Sequence, residues 1–231
     1  MTGTPDRTVT CLIPAFNEGA RIGSVLRAVV GHPQVAEVLV IDDGSRDDTA
    51  AVVRSVPGAT LIEMPQNRGK TAALVAGIRA AQGSYLLLVD ADLSGLTPDH
   101  ISGLIDPVHA GQADISISLR DNAPKPWHWL GIDYISGERV LLKSLLDEHA
   151  EAMLALPRFG FEVFLNSLLI AQRSRVAVVR WRGVKSPLKG AKMGWRKGLV
   201  ADAEMIGDLA RTVGWATLVQ QIVTLRRMRV R

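Results

Sequence analysis

Two aspartates separated by one residue, Asp90-Ala91-Asp92, directly follow the apolar run Tyr85–Val89. Residues two apart in an extended segment point to the same side, so the two carboxylates repel each other unless a cation lies between them. Hard oxygen ligands suit Mg²⁺ or Mn²⁺, which can hold a diphosphate. The alternative is a pair of aspartates that only form a turn or cap a helix. The position after a buried strand favours the metal site.

Other polar side chains follow neighbouring apolar runs in the same way. Asp42 and Asp43 follow the second run, where an aspartate could accept hydrogen bonds from a nucleobase or ribose, or form an Asx turn. Glu18 follows the first run and could meet ribose hydroxyls or occupy the first turn of a helix. Arg68 and Lys70 follow the third run and could lie near a diphosphate.

The apolar runs are predicted to be the strands that position these side chains. Five strands are expected: Val9–Ile13, Val38–Ile41, Thr60–Met64, Tyr85–Val89 and Ile115–Leu119. Four helices are expected between them: Gly19–Val30, Asp47–Ser55, Lys70–Ala81 and Pro98–His109. Strands without polar alternation are buried on both faces, and alternating strands and helices predict an open, mainly parallel α/β sheet. Ligands of such sheets bind beyond the carboxyl ends of the strands.

The second half of the chain is less regular. We predict the helices 135–146 and 161–172, a strand over 176–179, a loop over 183–190, and two C-terminal helices over 194–212 and 215–229. The stretches between these segments are not rich in Pro, Gly or Ser, so the second half is expected to complete the same domain.

Composition limits the classes of protein. With 231 residues, 47% of them hydrophobic, the chain has enough apolar material for a folded core. One cysteine, Cys11, excludes a disulfide framework and a cysteine-based zinc site and indicates a reducing compartment. The N-terminus lacks the apolar run of a signal peptide, and no stretch reaches the roughly 18 apolar residues of a membrane span. We therefore expect a soluble or peripheral protein.

Charge is distributed unevenly along the chain. Residues 1–172 contain 13 Lys and Arg against 20 Asp and Glu, whereas residues 173–231 contain 14 against 3. A basic tail indicates an anionic partner, such as a membrane surface or a phosphorylated ligand, or is simply a solvated face. Nucleic acid is disfavoured because aromatic residues make up only 5% of the chain and no binding motif is present.

Four segments in this order and spacing resemble family 2 glycosyltransferases of the GT-A fold, and most of all the dolichol- and polyprenyl-phosphate sugar synthases. These segments are Ile13-Pro14-Ala15-Phe16-Asn17-Glu18, Val40-Ile41-Asp42-Asp43-Gly44-Ser45, Asn67-Arg68-Gly69-Lys70 and Val89-Asp90-Ala91-Asp92. The resemblance is strong over about residues 8–120. It implies a GT-A-type open, mainly parallel sheet flanked by helices, with C-terminal helices. The implied domains are a catalytic domain over 1–190, with its nucleotide-binding half at about 8–120, and a basic helical extension over 191–231.

The resemblance also implies roles for individual residues. Together with the strand positions it predicts these contacts to a nucleotide sugar: Pro14, Ala15, Glu18, Asp42, Asp43, Arg68, Lys70, Asp90, Ala91, Arg120, Lys185 and Lys189. Asp90 and Asp92 would hold Mg²⁺ or Mn²⁺, with Asp92 the nearer ligand. The predicted catalytic residues are Asp92, Glu162 and Arg139, with Arg120 and Arg139 meeting anionic oxygens. Lys185 and Lys189 would belong to a basic loop that closes over the phosphates.

The sequence departs from the family pattern on the acceptor side. Glu138 replaces the usual aromatic residue between Gly137 and Arg139, and Ser94 stands where a longer polar side chain is common. A phosphate acceptor needs no general base, whereas a sugar hydroxyl needs a carboxylate within about 3 Å. The candidates for that base are Asp133, Glu138 and Glu162. Glu162 is the best placed by resemblance, although it could instead be a surface charge or a partner of Arg139.

The resulting prediction is a metal-dependent, inverting glycosyltransferase that uses a UDP- or GDP-sugar and a polyprenyl phosphate acceptor. The same chemistry on a soluble or glycan hydroxyl is the alternative. A haloacid dehalogenase-type phosphatase and a non-catalytic nucleotide-binding module are remoter options. We expect a cytoplasmic protein, with peripheral contact to the cytoplasmic face of a membrane through residues 191–231 as a further option. Packing of those helices on the catalytic domain is the competing interpretation.

Overall fold

The computed structural model describes residues 7–156, 160–186, 207 and 214–230. Its strands are β1 (Val9–Ala15), β2 (Glu37–Asp42), β3 (Thr60–Glu63), β4 (Tyr85–Leu88), β5 (Ile115–Arg120), β6 (Arg139–Leu142) and β7 (Val176–Trp181). Its helices are α1 (Gly19–Val29), α2 (Thr49–Arg54), α3 (Lys70–Ala80), α4 (Pro98–His109), α5 (Lys125–Leu130), α6 (Ser144–Asp147), α7 (Ala150–Leu154), α8 (Gly160–Ala171) and α9 (Trp215–Arg227).

The strands form one mixed sheet in the order β3-β2-β1-β4-β6-β5-β7. Among these seven strands, β6 alone runs antiparallel to its two neighbours, β4 and β5. The other pairings, β1 with β2 and β4, β2 with β3, and β5 with β7, are all parallel. The predicted open, mainly parallel sheet flanked by helices is confirmed, and the carboxyl ends of six strands lie at the same edge.

Both faces of the sheet are covered, which explains why its strands lack polar alternation. On one face Leu12 and Leu86 pack with Leu74 of α3, and on the other Ile13 packs in a cluster with Ile22 of α1. Each such side chain, when fully buried, stabilises the fold by about 1.5–3 kcal/mol. The central strands are therefore fixed in register, and with them the residues at the carboxyl edge.

The prediction of a helix over 135–146 is wrong. Residues Arg139–Leu142 form β6, which inserts between β4 and β5, and only the short α6 follows. A short apolar run is compatible with either a buried strand or a buried helix, and periodicity alone does not separate the two. Pairing with two strands already in the sheet decides the outcome.

The last described helix, α9, packs on the sheet domain. Leu218, Gln221 and Leu225 are buried on one of its faces, and the helix contacts α8. The backbone N–H of Val176 donates to the carbonyl of Met228, and the N–H of Val230 donates to the carbonyl of Val176. The predicted helix over 194–212 lies outside the described residues apart from Gly207, and the proposed boundary at residue 190 stays a prediction. Across the described ranges, no helix has the length and apolarity needed to cross a membrane.

Candidate active site

Asp90 and Asp92 lie just beyond the carboxyl end of β4, near the centre of the sheet. Between them Ala91 is buried, so the segment is anchored while both carboxylates remain partly accessible. This is the position at which open α/β sheets bind ligands.

Each of the two acids has a different partner. Asp90 accepts a hydrogen bond from Nζ of Lys70 at 2.7 Å. Burial alone would raise the pKa of Asp90, but the charge and hydrogen bond of Lys70 outweigh it and hold the pKa below its usual range. Among the described residues, the donor to Asp92 is a neutral hydroxyl, that of Ser186, with Oγ–Oδ2 at 3.1 Å. Burial, and next the charge of Asp90, raise the pKa of Asp92.

The donor set fits a hard divalent cation. Burial and the charge of Asp90 raise the pKa of Asp92 although Arg120 and Lys70 lower it, so a cation beside Asp92 would stabilise its charged form. In the described part of the chain, no three His, Cys, Asp or Glu side chains converge as a complete metal site. Mg²⁺ and Mn²⁺ are commonly bound by one or two carboxylates together with substrate phosphates, so a site of this kind does not require a third protein ligand.

A cavity of about 520 Å³ opens at the carboxyl ends of β1, β2 and β3. It is lined by Phe16, Asn17, Asp42, Gly44, Ser45, Arg46, Glu63, Met64, Pro65, Gln66 and Asn67. Of the predicted nucleotide contacts, Asp42 lines this cavity, and its Oδ1 accepts the backbone N–H of Ser45 at 2.9 Å. The sequence reasoning missed Phe16, Asn17 and Met64, although all three lie at or directly after the ends of predicted strands, which was the available signal.

Asp43 holds a loop together. Its carboxylate accepts the backbone N–H groups of Arg68 at 2.8 Å and Gly69 at 2.7 Å, which fixes the turn that leads into α3. Gly44 lets this turn approach closely, since its φ is +73° and a Cβ there would lie 2.8 Å from the backbone N of Asn67. The structure thus places Asp43 behind the cavity wall as a support for the Arg68 segment.

The residues predicted at the end of β1 lie beside the cavity. Pro14 and Ala15 pair with Ile41 and Asp42 of β2, so the backbone of β1 reaches the cavity edge. Glu18 precedes α1 and forms an ion pair with Arg21, with Oε2–Nη2 at 2.5 Å. Burial, which outweighs the effect of Arg21, raises the pKa of Glu18.

A buried charge cluster lies on the other side of Asp90 and Asp92. Arg120, at the end of β5, points Nη1 at Oε1 of Glu138, 3.2 Å away, and Nη2 at Oδ2 of Asp133, 3.7 Å away. Glu138 also accepts hydroxyl hydrogen bonds from Ser118 at 2.6 Å and Ser136 at 3.0 Å. Burial raises the pKa of Asp133 to about 6. Both carboxylates are fully buried, so neither is open to an incoming acceptor.

Arg139 is also fully buried, and its guanidinium is occupied by protein groups. Nε donates to the carbonyl of Ser136 at 2.8 Å, Nη1 to Oδ1 of Asn166 at 2.7 Å, and Nη2 to the carbonyl of Tyr134 at 3.2 Å. The structure therefore places Arg139 as a brace between β6 and α8, not beside the cavity. The resemblance alone could not show this, because it gives a residue type at a position and not its burial.

Glu162 and Lys185 approach the site from the second half of the chain. Glu162, in the first turn of α8, is nearly buried, and its Oε1 lies 3.4 Å from Nζ of Lys70. Lys185 follows β7 and pairs antiparallel with Ser94, its N–H donating to the Ser94 carbonyl at 3.0 Å. Lys189 lies outside the described residues. The start of the predicted basic loop is thus tied to the segment that follows Asp92.

This sheet, with two acids after its fourth strand and a cavity beside them, is the GT-A fold. The chain belongs to glycosyl transferase family 2, whose family model matches residues 10–153. The predicted family and fold are confirmed, and the phosphatase alternative has no support.

The chain is similar to several characterised proteins. Undecaprenyl-phosphate 4-deoxy-4-formamido-L-arabinose transferase of Aeromonas hydrophila is 32% identical over 136 residues, covering 55% of this chain and 41% of that protein. Dodecaprenyl-phosphate galacturonate synthase of Rhizobium johnstonii is 29% identical over 123 residues, covering 49% and 36%. The matches thus span less than half the length of these curated relatives.

Solved structures share the fold. Glucosyl-3-phosphoglycerate synthase of Mycobacterium tuberculosis, crystallised with Mn²⁺ and UDP-glucose, superposes with a TM-score of 0.66 at 23% identity, covering 90% of this chain and 79% of that one. The complex of the same enzyme with phosphoglyceric acid gives a TM-score of 0.68 at 23% identity, covering 94% and 80%.

Proposed function

We propose that this chain is a metal-dependent, inverting glycosyltransferase that moves a sugar from a UDP- or GDP-sugar to a polyprenyl phosphate. The observation that carries the proposal is the placement of Asp90 and Asp92 at the same carboxyl edge of the sheet as the cavity that Asp42 lines. Family membership supports the reaction class, and two relatives are named for polyprenyl-phosphate acceptors. The crystallised neighbour with Mn²⁺ and UDP-glucose supports the choice of donor and metal for this proposal.

The proposed donor site uses the cavity and the adjoining acids. The nucleoside occupies the cavity, with Asp42, Glu18 and the backbone at Pro14 and Ala15 as its contacts, while Asp43 keeps the Arg68 segment in place. Asp92, with Asp90 beside it, would hold Mg²⁺ or Mn²⁺ and through it the diphosphate. When bound, such an ion neutralises the charge that develops on the leaving nucleoside diphosphate.

Basic side chains complete the proposed phosphate site. Arg120 is held by Glu138 and Asp133, and its Nε has no hydrogen-bond partner among the described residues although it is buried. Arg120 with Lys185 and Lys189 would balance the anionic oxygens of donor and acceptor. The role of Arg139 is then to hold the Ser136–Arg139 segment in place through hydrogen bonds within the protein core.

Burial of the candidate bases favours a phosphate acceptor. Asp133 and Glu138 are fully buried, and Glu162 is nearly buried with an ammonium 3.4 Å away. A hydroxyl acceptor would need one of these carboxylates to take its proton, whereas a phosphate oxyanion attacks without a base. The carboxylates are better placed to orient cations than to accept a proton from an incoming group.

The surface of α9 supports a membrane-bound acceptor. Trp215, Val219 and Val223 follow one another at a spacing of four and are all exposed, so they form one apolar stripe. Arg226 and Arg227 are exposed at the end of the same helix. Apolar and cationic side chains together are typical of helices that lie on anionic lipid surfaces. We propose peripheral contact with the cytoplasmic face through this stripe.

A donor and acceptor screen tests the proposal. UDP- and GDP-sugars are supplied with Mn²⁺ and with a polyprenyl phosphate, either short-chain and soluble or embedded in phosphatidylglycerol vesicles, and transfer is measured by release of nucleoside diphosphate and mass of the product. Transfer to polyprenyl phosphate that survives Glu162→Gln within about tenfold supports a phosphate acceptor. Absence of transfer with every donor, or transfer only to sugar hydroxyls with loss in Glu162→Gln, contradicts it.

A further inference from the structure

Lys70 occupies the centre of the acidic edge. It is the first residue of α3, and its Nζ lies 2.7 Å from Oδ1 of Asp90 and 3.4 Å from Oε1 of Glu162. It therefore bridges an acid of the nucleotide-binding half to an acid of the second half. With one carboxylate oxygen at 2.7 Å and another at 3.4 Å, this ammonium supplies one positive charge between the two acids.

The backbone packs closely over this ion pair. A Cβ at Gly137 would lie 2.7 Å from Nζ of Lys70 and 2.8 Å from both carboxylate oxygens of Asp90. One side of Asp90 is thus covered by the ammonium of Lys70 and by the backbone that leads into β6, while 25% of its side chain stays exposed. Asp92 has no such ammonium in contact, since its carboxylate accepts from the Ser186 hydroxyl within the described residues.

We infer that Lys70 is a positioning residue that acts as a built-in counter-cation for Asp90 and keeps that carboxylate out of the metal's coordination shell. The divalent ion is then bound by Asp92 and the donor's diphosphate, and one net negative charge from the acid pair faces the ion in place of two. This inference rests on the proposed function and assigns separate tasks to the two acids.

Metal affinity without nucleotide tests this assignment. The Kd of Mn²⁺ is measured by electron paramagnetic resonance for the wild type, Lys70→Met and the double variant Lys70→Met/Asp90→Asn. Lys70→Met frees a second carboxylate, so Mn²⁺ binds on the order of tenfold more tightly. The double variant restores the wild-type charge balance with Asp92 as the protein ligand, so its Kd stays within about twofold of wild type.

The double variant shows whether Lys70 keeps Asp90 away from the metal or merely competes with the metal for Asp90. If Asp90 were a ligand in the wild type, the double variant would bind Mn²⁺ about tenfold more weakly than wild type, and the inference would be overturned. The double variant removes Lys70 and Asp90 together, so no Asp90 carboxylate is left without its counter-cation, and it can be measured even where Lys70→Met alone does not fold. Glu162 loses the same ammonium in the single and in the double variant, so the comparison of the two isolates the effect of Asp90. Lys143→Met is the matched control, because Lys143 pairs with Asp147 at 2.6 Å away from the site, and its Kd equals that of wild type.

Failure of the proposed function has a different signature. A wild type that binds neither Mn²⁺ nor a nucleoside diphosphate in thermal-shift measurements contradicts the function and the inference together. A wild type that binds both, with a double variant that has lost Mn²⁺ affinity, leaves the function standing and removes only the task given to Lys70.

Discussion

Three acids at the carboxyl edge of residues 8–120, namely Asp42, Asp43 and Asp92, have the same chemistry as the buried acids of the second half but opposite surroundings. Asp42 and Asp43 are held by backbone N–H groups, and Asp92 by one hydroxyl, so their charge is directed toward the cavity edge or its supporting loop. Glu138 and Asp133 are instead compensated by Arg120 within the protein.

This contrast separates residues that can bind a ligand from residues that stabilise the fold. Asp92 has no ion-pair partner within the described residues, so its carboxylate remains able to bind a cation, and burial followed by the charge of Asp90 raises its pKa. A buried guanidinium whose three nitrogens each donate to a protein acceptor, such as that of Arg139, has little left to offer a ligand. Changes in the first group are expected to alter binding and activity, and changes in the second group to alter the free energy of unfolding.

The largest expected effect is on stability. Arg139→Met removes three hydrogen bonds inside the core and takes away the donor to the Ser136 carbonyl and to Oδ1 of Asn166, while the Tyr134 carbonyl keeps its bond from Asn166. The free energy of unfolding falls by about 3–5 kcal/mol. Denaturant titration followed by circular dichroism measures this loss. Arg175→Met is the matched control, because Arg175 forms an exposed ion pair with Asp114, and its loss costs at most about 1 kcal/mol. Equal losses of unfolding free energy in the two variants would contradict the structural role that we assign to Arg139.

The next effect is on activity. Asp92→Asn removes the carboxylate that faces the cation, so kcat/KM for sugar transfer falls by about 100- to 1000-fold, and the thermal stabilisation by Mn²⁺ with nucleoside diphosphate disappears. The free energy of unfolding without ligand stays within about 1 kcal/mol of wild type, because no protein cation pairs with Asp92 in the described residues. Ser186→Ala keeps the carboxylate and retains the ligand-dependent stabilisation. Undiminished metal-dependent transfer by Asp92→Asn would contradict the assignment.

The smallest effect is a pH dependence that the second half contributes. Burial raises the pKa of Asp133 to about 6, above the unfolded value of about 3.9, so the folded protein takes up a proton first as the pH falls. The stability that this proton uptake contributes is fully present below the unfolded pKa and is lost as the pH rises through about 6. The asparagine of Asp133→Asn does not take up a proton in this pH range, so the variant lacks this contribution to stability.

The measurement compares wild type and Asp133→Asn by denaturant titration at pH 4.5 and pH 7.5. On going from pH 7.5 to pH 4.5, the free energy of unfolding of the wild type rises by about 1–3 kcal/mol relative to that of the variant. The contributions of the other carboxylates cancel in this difference, because both proteins contain them. A constant difference between the two proteins, or one that grows in the variant's favour on acidification, would show that Asp133 is not a desolvated carboxylate.

Much of the fold could be predicted because its signals are local. The strands from Val9 to Leu119 are apolar runs between helices with clear starts, and their parallel order follows from that alternation. The strand β6 could not be predicted, because its partners are distant in sequence and its short apolar run is equally compatible with a helix.

The site was predictable to the extent that function follows strand ends. Asp42, Asp90 and Asp92 lie where the predicted strands stop, so their convergence followed from the parallel sheet. The tasks of Arg139 and Glu138 were not predictable, since hydrogen bonding to Asn166 and Arg120 depends on packing between β6, α8 and β5. A resemblance to a family predicts which residue stands at a position of the chain, but it does not predict how exposed that side chain is.

The reversed direction of β6 determines which part of the site can vary among homologues. Because β6 runs opposite to β4, its first residue, Arg139, lies level with Leu88, and the stretch that enters it arrives where the parallel strands end. Residues 121–138, which leave β5 and lead into β6, therefore form one continuous stretch at the edge of the sheet that carries the acids. Exchanging that stretch between homologues would remodel one side of the site while the cavity at the ends of β1, β2 and β3 keeps its shape.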